Sequence, residues 1–177
     1  MKKTISIPEG VSVEKKGQIL VVTGPKGSLQ RELVDPDVEM KVSGEAVEFS
    51  SKRDRRKINA LTGTFAAHLN NMITGVTKGF EASLKVVYSH FPMKVSVEGS
   101  EVVIQNFLGE RSSRRINILE GVEVQVKKDD VTVSGINKED VGQTAGRIEK
   151  ITTVKGFDRR VFQDGIHLVS KTHPMEA

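Results

Sequence analysis

The chain contains no cysteine, no tryptophan and a single tyrosine. Without cysteine it can form no disulfide, carries no thiolate nucleophile and has no Cys-ligated zinc or iron–sulfur site, a composition that suits a reducing cytosol. Aromatic residues make up only 5% of the chain, which argues against a stacking-rich ligand pocket. No segment approaches the roughly 18 consecutive apolar residues of a spanning helix. The N-terminal stretch has no apolar run of the kind found in signal peptides, so no membrane partner is expected. Neither sign of charge dominates: 27 Lys and Arg face 23 Asp and Glu, a net of +4. That mild excess is compatible with a nucleic-acid partner but does not specify one.

The chain does contain a long internal repeat. Val95-Ser96-Val97-Glu98 repeats Val11-Ser12-Val13-Glu14 at an offset of 84 residues. Val38, Met40, Val42, Val47, Phe49 and Ser50 align at the same offset of 84 with Val122, Val124, Val126, Val131, Val133 and Ser134. Lys78-Gly79-Phe80-Glu81 then aligns with Lys155-Gly156-Phe157-Asp158 at 77, so the second copy is shorter near its helix. Repeats of solenoids run to roughly 20–50 residues, so this period means tandem domains. The expected organisation is α+β: residues 1–82 and 83–177 as two similar domains, each an antiparallel sheet packed against one helix. The copies carry 13 Lys and Arg against 10 Asp and Glu, and 14 against 13, so any binding surface must be a local cluster.

In the first copy, Met1–Pro8 alternates like an edge strand. Thr23-Gly24-Pro25-Lys26-Gly27 is a turn entering a strand over 28–34. It is not a phosphate-cradling P-loop, which needs a second glycine followed by Lys and Ser or Thr at a helix start. Val38–Val42 and Val47–Phe49 form a hairpin around Ser43-Gly44-Glu45. Ile58, Leu61, Phe65, Leu69, Met72 and Val76 draw one apolar helical stripe that ends near Gly79. His68 reads as a core-edge residue, because no second ligand stands at metal spacing. Lys52, Arg53, Arg55, Arg56 and Lys57 crowd the helix start, with Asp54 as the candidate cap. Cations there oppose the helix dipole. Either phosphate compensates them or they form a solvated, salt-screened run.

In the second copy, residues 83–88 read as extended, and Pro92 bars a helix through the join. Strands are expected at 94–97, 101–106 and 114–119. A hairpin around 127–130 follows, and then a helix capped by Asn137 with Val141, Ala145, Ile148 and Ile151 as its stripe. Beyond it, Lys155-Gly156-Phe157-Asp158-Arg159-Arg160 combines glycine, which permits close backbone approach, with cations suited to phosphate. Phe157 and Phe162 either stack on a base or plug the loop from beneath. Asp158 and Asp164 have no nucleophile or histidine arranged with them and read as turn braces rather than an acid–base pair. His167 reads as outward-facing on a strand. Lys171–Ala177 read as a flexible end that orders on a partner. Arg111, Arg114 and Arg115 are either charges that guard an edge strand or RNA contacts.

Three segments carry a resemblance: Tyr88-Ser89-His90-Phe91-Pro92-Met93, Asn106-Phe107-Leu108-Gly109-Glu110, and Asp158-Arg159-Arg160 continuing to Phe162-Gln163-Asp164-Gly165-Ile166. Together with the tandem halves, they resemble the large-subunit ribosomal protein six family in its archaeal and eukaryotic branch, over nearly the whole chain. The resemblance implies a non-catalytic protein without cofactor, metal or small-molecule substrate, working in the cytoplasmic ribosome. It implies binding to large-subunit rRNA near the lateral-stalk base and the sarcin–ricin region, mainly through the second domain, beside neighbouring ribosomal proteins of the stalk base. Carried onto this chain, the rRNA candidates are Lys155, Gly156, Phe157, Arg159 and Arg160, with Arg111, Arg114, Arg115, Lys171 and His173 added. The glycine- and lysine-richer C-terminal loop of the bacterial branch is absent, so contacts known only there are not carried over. The other classes are a protein-interaction scaffold with an incidentally basic surface, whose binding would be insensitive to salt, and an enzyme, for which the sequence offers no nucleophile, base or metal set.

Overall fold

The computed structural model describes residues 2–33 and 35–175, which divide into two compact units, one ending at Gly79 and the other spanning Phe80–Met175. Both are α+β, with antiparallel strands packed on a single helix.

The first unit contains β1 (Lys2–Ser6), β2 (Ser12–Lys16), β3 (Ile19–Gly24), β4 (Gly27–Glu32), β5 (Val38–Ser43), β6 (Ala46–Ser51) and α1 (Arg56–Thr77). Its strands form two sheets rather than one, ordered β1-β6-β5 and β2-β3-β4. Period-2 alternation sends Val47 and Phe49 of β6 inward, while Glu48 between them pairs with Lys2 on the outer face. The inward residues, with Leu20 and Val22 of β3, meet the stripe Phe65, Leu69, Met72, Ile73 and Val76 of α1. Phe49 and Phe65 meet edge to face at 6.4 Å. Burying each such side chain fully contributes about 1.5–3 kcal/mol, so this small core rests on about ten residues of that kind.

The turn between β3 and β4 clamps the end of α1. Lys26 N donates to the Val76 carbonyl at 2.9 Å, and a Cβ at Gly24 would lie 2.7 Å from Val76 Cγ2. The start of α1 departs from expectation. Asp54 is not the cap: the capping position is held by Arg55 in an extended conformation with no side-chain cap, and Asp54 Oδ1 instead accepts from Asn59 Nδ2 at 2.7 Å.

The second unit contains β7 (Phe80–Val87), β8 (Lys94–Glu98), β9 (Glu101–Gln105), a 3₁₀ turn (Phe107–Gly109), β10 (Arg114–Asn117), β11 (Val122–Lys127), β12 (Asp130–Gly135), α2 (Lys138–Ile151) and β13 (Gly165–Pro174). The sheets are β10-β9-β8 and β11-β12-β7-β13. The repeat is visible in the pairing: β7 lies antiparallel beside β12 as β1 lies beside β6. The expected division after residue 82 falls inside β7, all of which belongs to the second unit. Asn137 caps α2 as expected, its side chain accepting from Glu139 N at 3.1 Å, with Glu139 and Asp140 in the first turn.

Among the described residues, β13 has no counterpart in the first unit. It corrects the expectation of a flexible end, because Lys171–Pro174 continue the strand alongside β7, with His173 opposite Glu81. Bulges between Leu168 and Ser170 and between Ser170 and His173 break its alternation, which is why the pattern faded there. Glu176 and Ala177 of that end, and Met1 and Val34 of the expected strands, lie outside the described residues.

Candidate nucleic-acid interface

The loop between α2 and β13 is anchored at its base by Thr152. Its hydroxyl donates to the Glu149 carbonyl at 3.0 Å and accepts from Ile166 N at 2.9 Å, so the two stems of the loop are tied by one side chain. The loop tip folds around Asp158. The Asp158 carboxylate accepts from Arg160 N at 2.9 Å, and its carbonyl accepts from Val161 N and Phe162 N at 3.0 and 2.9 Å. The Arg160 backbone bond, followed by its side chain, holds the Asp158 carboxyl below the ordinary aspartate range.

The tip is braced from the start of the second unit. Asp164, only 3% exposed, accepts from Ser89 N and from His90 Nδ1, the latter at 3.1 Å. The His90 ring stacks on Phe162 at 4.4 Å, and Phe162 meets Phe157 at 4.8 Å. Asn106 Nδ2 donates to the Pro92 carbonyl at 2.9 Å, and Gly109, at φ +77, leaves room for Phe91, which a Cβ would approach to 3.3 Å. The second and third of the segments that carry the resemblance are thus both joined to the first. Beneath the loop is a cavity of about 450 Å³ lined by Val87, Val154, Phe162 and Ile166, with Arg159 among its walls. Two further polar groups of its wall are engaged: His167 Nε2 donates to the Gln163 carbonyl at 3.2 Å and Glu149 accepts from Leu168 N at 3.1 Å.

The expected site residues fall into three groups. Lys155, Gly156, Phe157, Arg159 and Arg160 all lie exposed on the loop; Phe157 is 51% exposed, and the Arg160 side chain is 90% exposed. Phe162 rather than Phe157 fills the role of plug. Arg111 is exposed in the turn before β10, and Lys171 is exposed on β13.

Arg114, Arg115 and His173 are tied into the fold. The Arg114 side chain is 24% exposed; it donates through Nε to Glu110 at 2.8 Å and through Nη1 to the Ile151 carbonyl, and lies over the Phe107 ring at 4.2 Å. That hydrogen bond holds the Glu110 carboxyl below the ordinary glutamate range. Arg115 Nη1 reaches Glu98 and Glu101 at 3.5 and 3.1 Å. His173 Nε2 meets Glu81 at 3.2 Å. At the first unit's basic run, Arg53 pairs with Asp37 at 3.6 Å and Lys52 donates to the Pro36 carbonyl at 2.9 Å, which anchors both to the turn before β5.

Sequence reasoning passed over Arg147 and Lys150 of α2, which stand with Arg115 around a shallow concavity of about 320 Å³ floored by Ile116 and Ile151. The available signal was the absence of acidic residues three or four positions from either cation. Among the described residues, no group of three or more His, Asp or Glu is placed to hold a metal ion, and no helix is long and apolar enough to cross a membrane.

Similarity to known ribosomal proteins places this duplicated α+β chain, with its braced basic loop, in the class of structural, non-enzymatic ribosome components. Within that class it belongs to the ribosomal protein L6 family, whose model matches residues 7–79 and 91–165, one copy in each unit. The large ribosomal subunit protein uL6 of Methanospirillum hungatei JF-1 is 48% identical over 172 residues, covering 97% of this chain and 98% of that protein. Those of Methanosarcina mazei and Methanococcus vannielii are 48% and 47% identical over 169 and 171 residues, covering 96% and 97% of this chain and 96% and 94% of theirs. The archaeal character of the relatives agrees with the branch named from the motifs.

Proposed function

We propose that this chain is a structural constituent of the large ribosomal subunit in the cytoplasm that binds large-subunit rRNA near the base of the lateral stalk and the sarcin–ricin region. The contact runs mainly through the second unit, beside neighbouring ribosomal proteins at the stalk base, and supports translation. The observation that carries this reading is the loop itself. Lys155, Arg159 and Arg160 are exposed on a tip whose backbone is fixed by Asp158, Phe162 and the His90–Asp164 pair. Cations held on a rigid frame meet phosphates without the entropy cost of ordering a mobile loop. Recognition of folded RNA by phosphate spacing and shape needs that rigidity more than it needs base contacts. Lys171 and Arg111 add exposed charge. Arg114 contributes by holding the frame, and Arg115 and His173 reach RNA only with the donors their carboxylate partners leave over.

The test is filter binding of the full chain to purified large-subunit rRNA at two salt concentrations, with bulk tRNA as competitor. Tight binding that resists tRNA and weakens with salt supports the reading. Arg159→Ala combined with Arg160→Ala should weaken binding while leaving the circular-dichroism melt unchanged. Unchanged affinity of that variant at physiological salt removes the loop from the interface. A partner retained regardless of salt would favour a protein-docking scaffold instead.

A further inference from the structure

α2 turns Val141, Thr144, Ala145 and Ile148 to the core. Its opposite face exposes Gln143, Gly146, Arg147 and Lys150, spaced so that they lie one above another over two turns. Arg147 and Lys150 are like charges three residues apart, an arrangement that weakens a helix unless an acid relieves it. None does: the residues three and four away from Arg147 are Gln143, Thr144, Lys150 and Ile151, and those flanking Lys150 are Gly146, Arg147, Thr153 and Val154. Neither cation has a carboxylate partner among the described residues. The helix dipole accounts for Lys150 in the last turn, but not for Arg147, nor for Arg115 converging on the same concavity from β10.

Gly146 is the second observation. After proline, glycine is the poorest residue for a helix interior. A Cβ added at Gly146 would meet nothing within 4 Å, and its backbone is not left-handed, so neither packing nor conformation calls for glycine there. A glycine at this point leaves the helix backbone open to close approach from outside. The concavity beside it is fixed in shape, because Arg114 joins β10 to the end of α2 through the Ile151 carbonyl. Among the described residues, Arg115 spends only Nη1, on Glu98 and Glu101, which leaves its remaining donors for a ligand.

We propose that the Gln143–Gly146–Arg147–Lys150 face of α2, together with Arg115, is a second RNA-backbone contact of the second unit, made by different side chains from those of the Lys155–Arg160 loop. The inference rests on the rRNA-binding reading above. The phosphate–sugar backbone lies along the exposed stripe, passes close to Gly146, and is held by Arg147 and Lys150 on the helix and Arg115 on the strand. Charge and close approach are both satisfied by a narrow polyanion. The low apolar floor of Ile116 and Ile151 offers a folded protein little surface to bury.

The experiment compares full-length wild type, Arg147→Ala with Lys150→Ala, Gly146→Gln, and Arg159→Ala with Arg160→Ala, each titrated with large-subunit rRNA across a salt series. Removing two phosphate contacts should flatten the slope of log affinity against log salt by about 1.5. Gly146→Gln should raise the melting temperature, because it improves helix propensity, and yet weaken RNA binding several-fold. A purely structural role for this face cannot produce that pair of opposite effects. If the loop variant loses affinity while both α2 variants bind like wild type with an unchanged salt slope, the inference is overturned and the rRNA reading stands. If wild type prefers rRNA no more than tRNA, both are overturned. If the α2 variants keep their rRNA affinity but drop out of sedimenting subunits, the face docks a protein and the inference is likewise overturned.

Discussion

Asp164 accepts a hydrogen bond from His90 Nδ1 at 3.1 Å, although 74 residues of chain separate the two. The pair links the end of the basic loop to the segment that follows β7, and the His90 ring continues the brace onto Phe162. Neither residue is one of the loop's cations, yet both hold the loop that carries them.

Asp164→Ala should therefore impair RNA binding without removing any positive charge. It leaves the exposed Ser89 amide and His90 to water instead of their acceptor, so the cost is the net worth of the lost bonds, about 0.5–1.5 kcal/mol each. The urea midpoint should fall accordingly. Affinity for rRNA should fall further than the lost stability alone would explain at conditions where the variant is still folded. Asp164→Asn, which keeps one acceptor oxygen, should lie between the two. Equal affinity for all three proteins would mean the tip keeps its shape without the brace.

Arg114 should behave as a structural residue. It combines a bond to Glu110, a bond to the Ile151 carbonyl and a contact over the Phe107 ring. A cation–π contact contributes about 0.5–2 kcal/mol and a charged hydrogen bond about 1.5–3 kcal/mol, which overlap here. Arg114→Ala should thus lower unfolding free energy by about 2 kcal/mol. Arg114→Lys should recover only part of it, because an ammonium cannot reproduce the planar fork. Denaturant unfolding measures both.

The Glu110–Arg114 pair also predicts a pH dependence. Its hydrogen bond to Arg114 lowers the carboxyl's affinity for a proton in the folded state. The unfolded chain then binds protons more readily, so stability rises with pH across the interval between the two values. The stability difference between wild type and Glu110→Gln should be constant near neutrality. It should shrink as the pH falls through the ordinary glutamate value and vanish below the depressed one. A difference that persists into strong acid would show that the carboxylate charge is not its source.

Two glycines of the first unit should respond oppositely to the same substitution. A Cβ at Gly24 would lie 2.7 Å from Val76 Cγ2 and 3.1 Å from the Val76 carbonyl, so Gly24→Ala must push the β3–β4 turn off α1. A cost of about 1–3 kcal/mol is expected from such overpacking. Gly63, inside α1, has nothing within 4 Å of its added Cβ. Gly63→Ala should stabilise by up to about 1 kcal/mol through helix propensity. Thermal melts of the two variants should therefore move in opposite directions.

The helix starts show how far local sequence can be read. Asn137 was legible as a cap because its partner, Glu139 N, is two residues away and the geometry is set by the turn itself. Asp54 looked equally suitable, but Arg55 took the capping position in an extended conformation and Asn59 claimed the carboxylate. Likewise Ile166 and Leu168 announced a strand, whereas Lys171–Pro174 did not, because bulges against β7 displaced the alternation. The basic loop was legible as a run of cations. Which of its aromatics is the plug was not, since that depends on His90 arriving from the other end of the unit.

By itself the sequence determined the duplication, the antiparallel α+β class, the two apolar helix stripes and the position of the exposed cationic loop. These follow from periodicity and turn chemistry, which act over a few residues and are repeated at a fixed offset. Only the tertiary structure decided that Arg114 is a brace, that β13 joins β7, that Asp164 meets His90, and that Arg115 shares a concavity with Arg147 and Lys150. Each of these is a contact between groups distant in sequence, made specific by packing, and no local pattern encodes which distant partner the fold will bring.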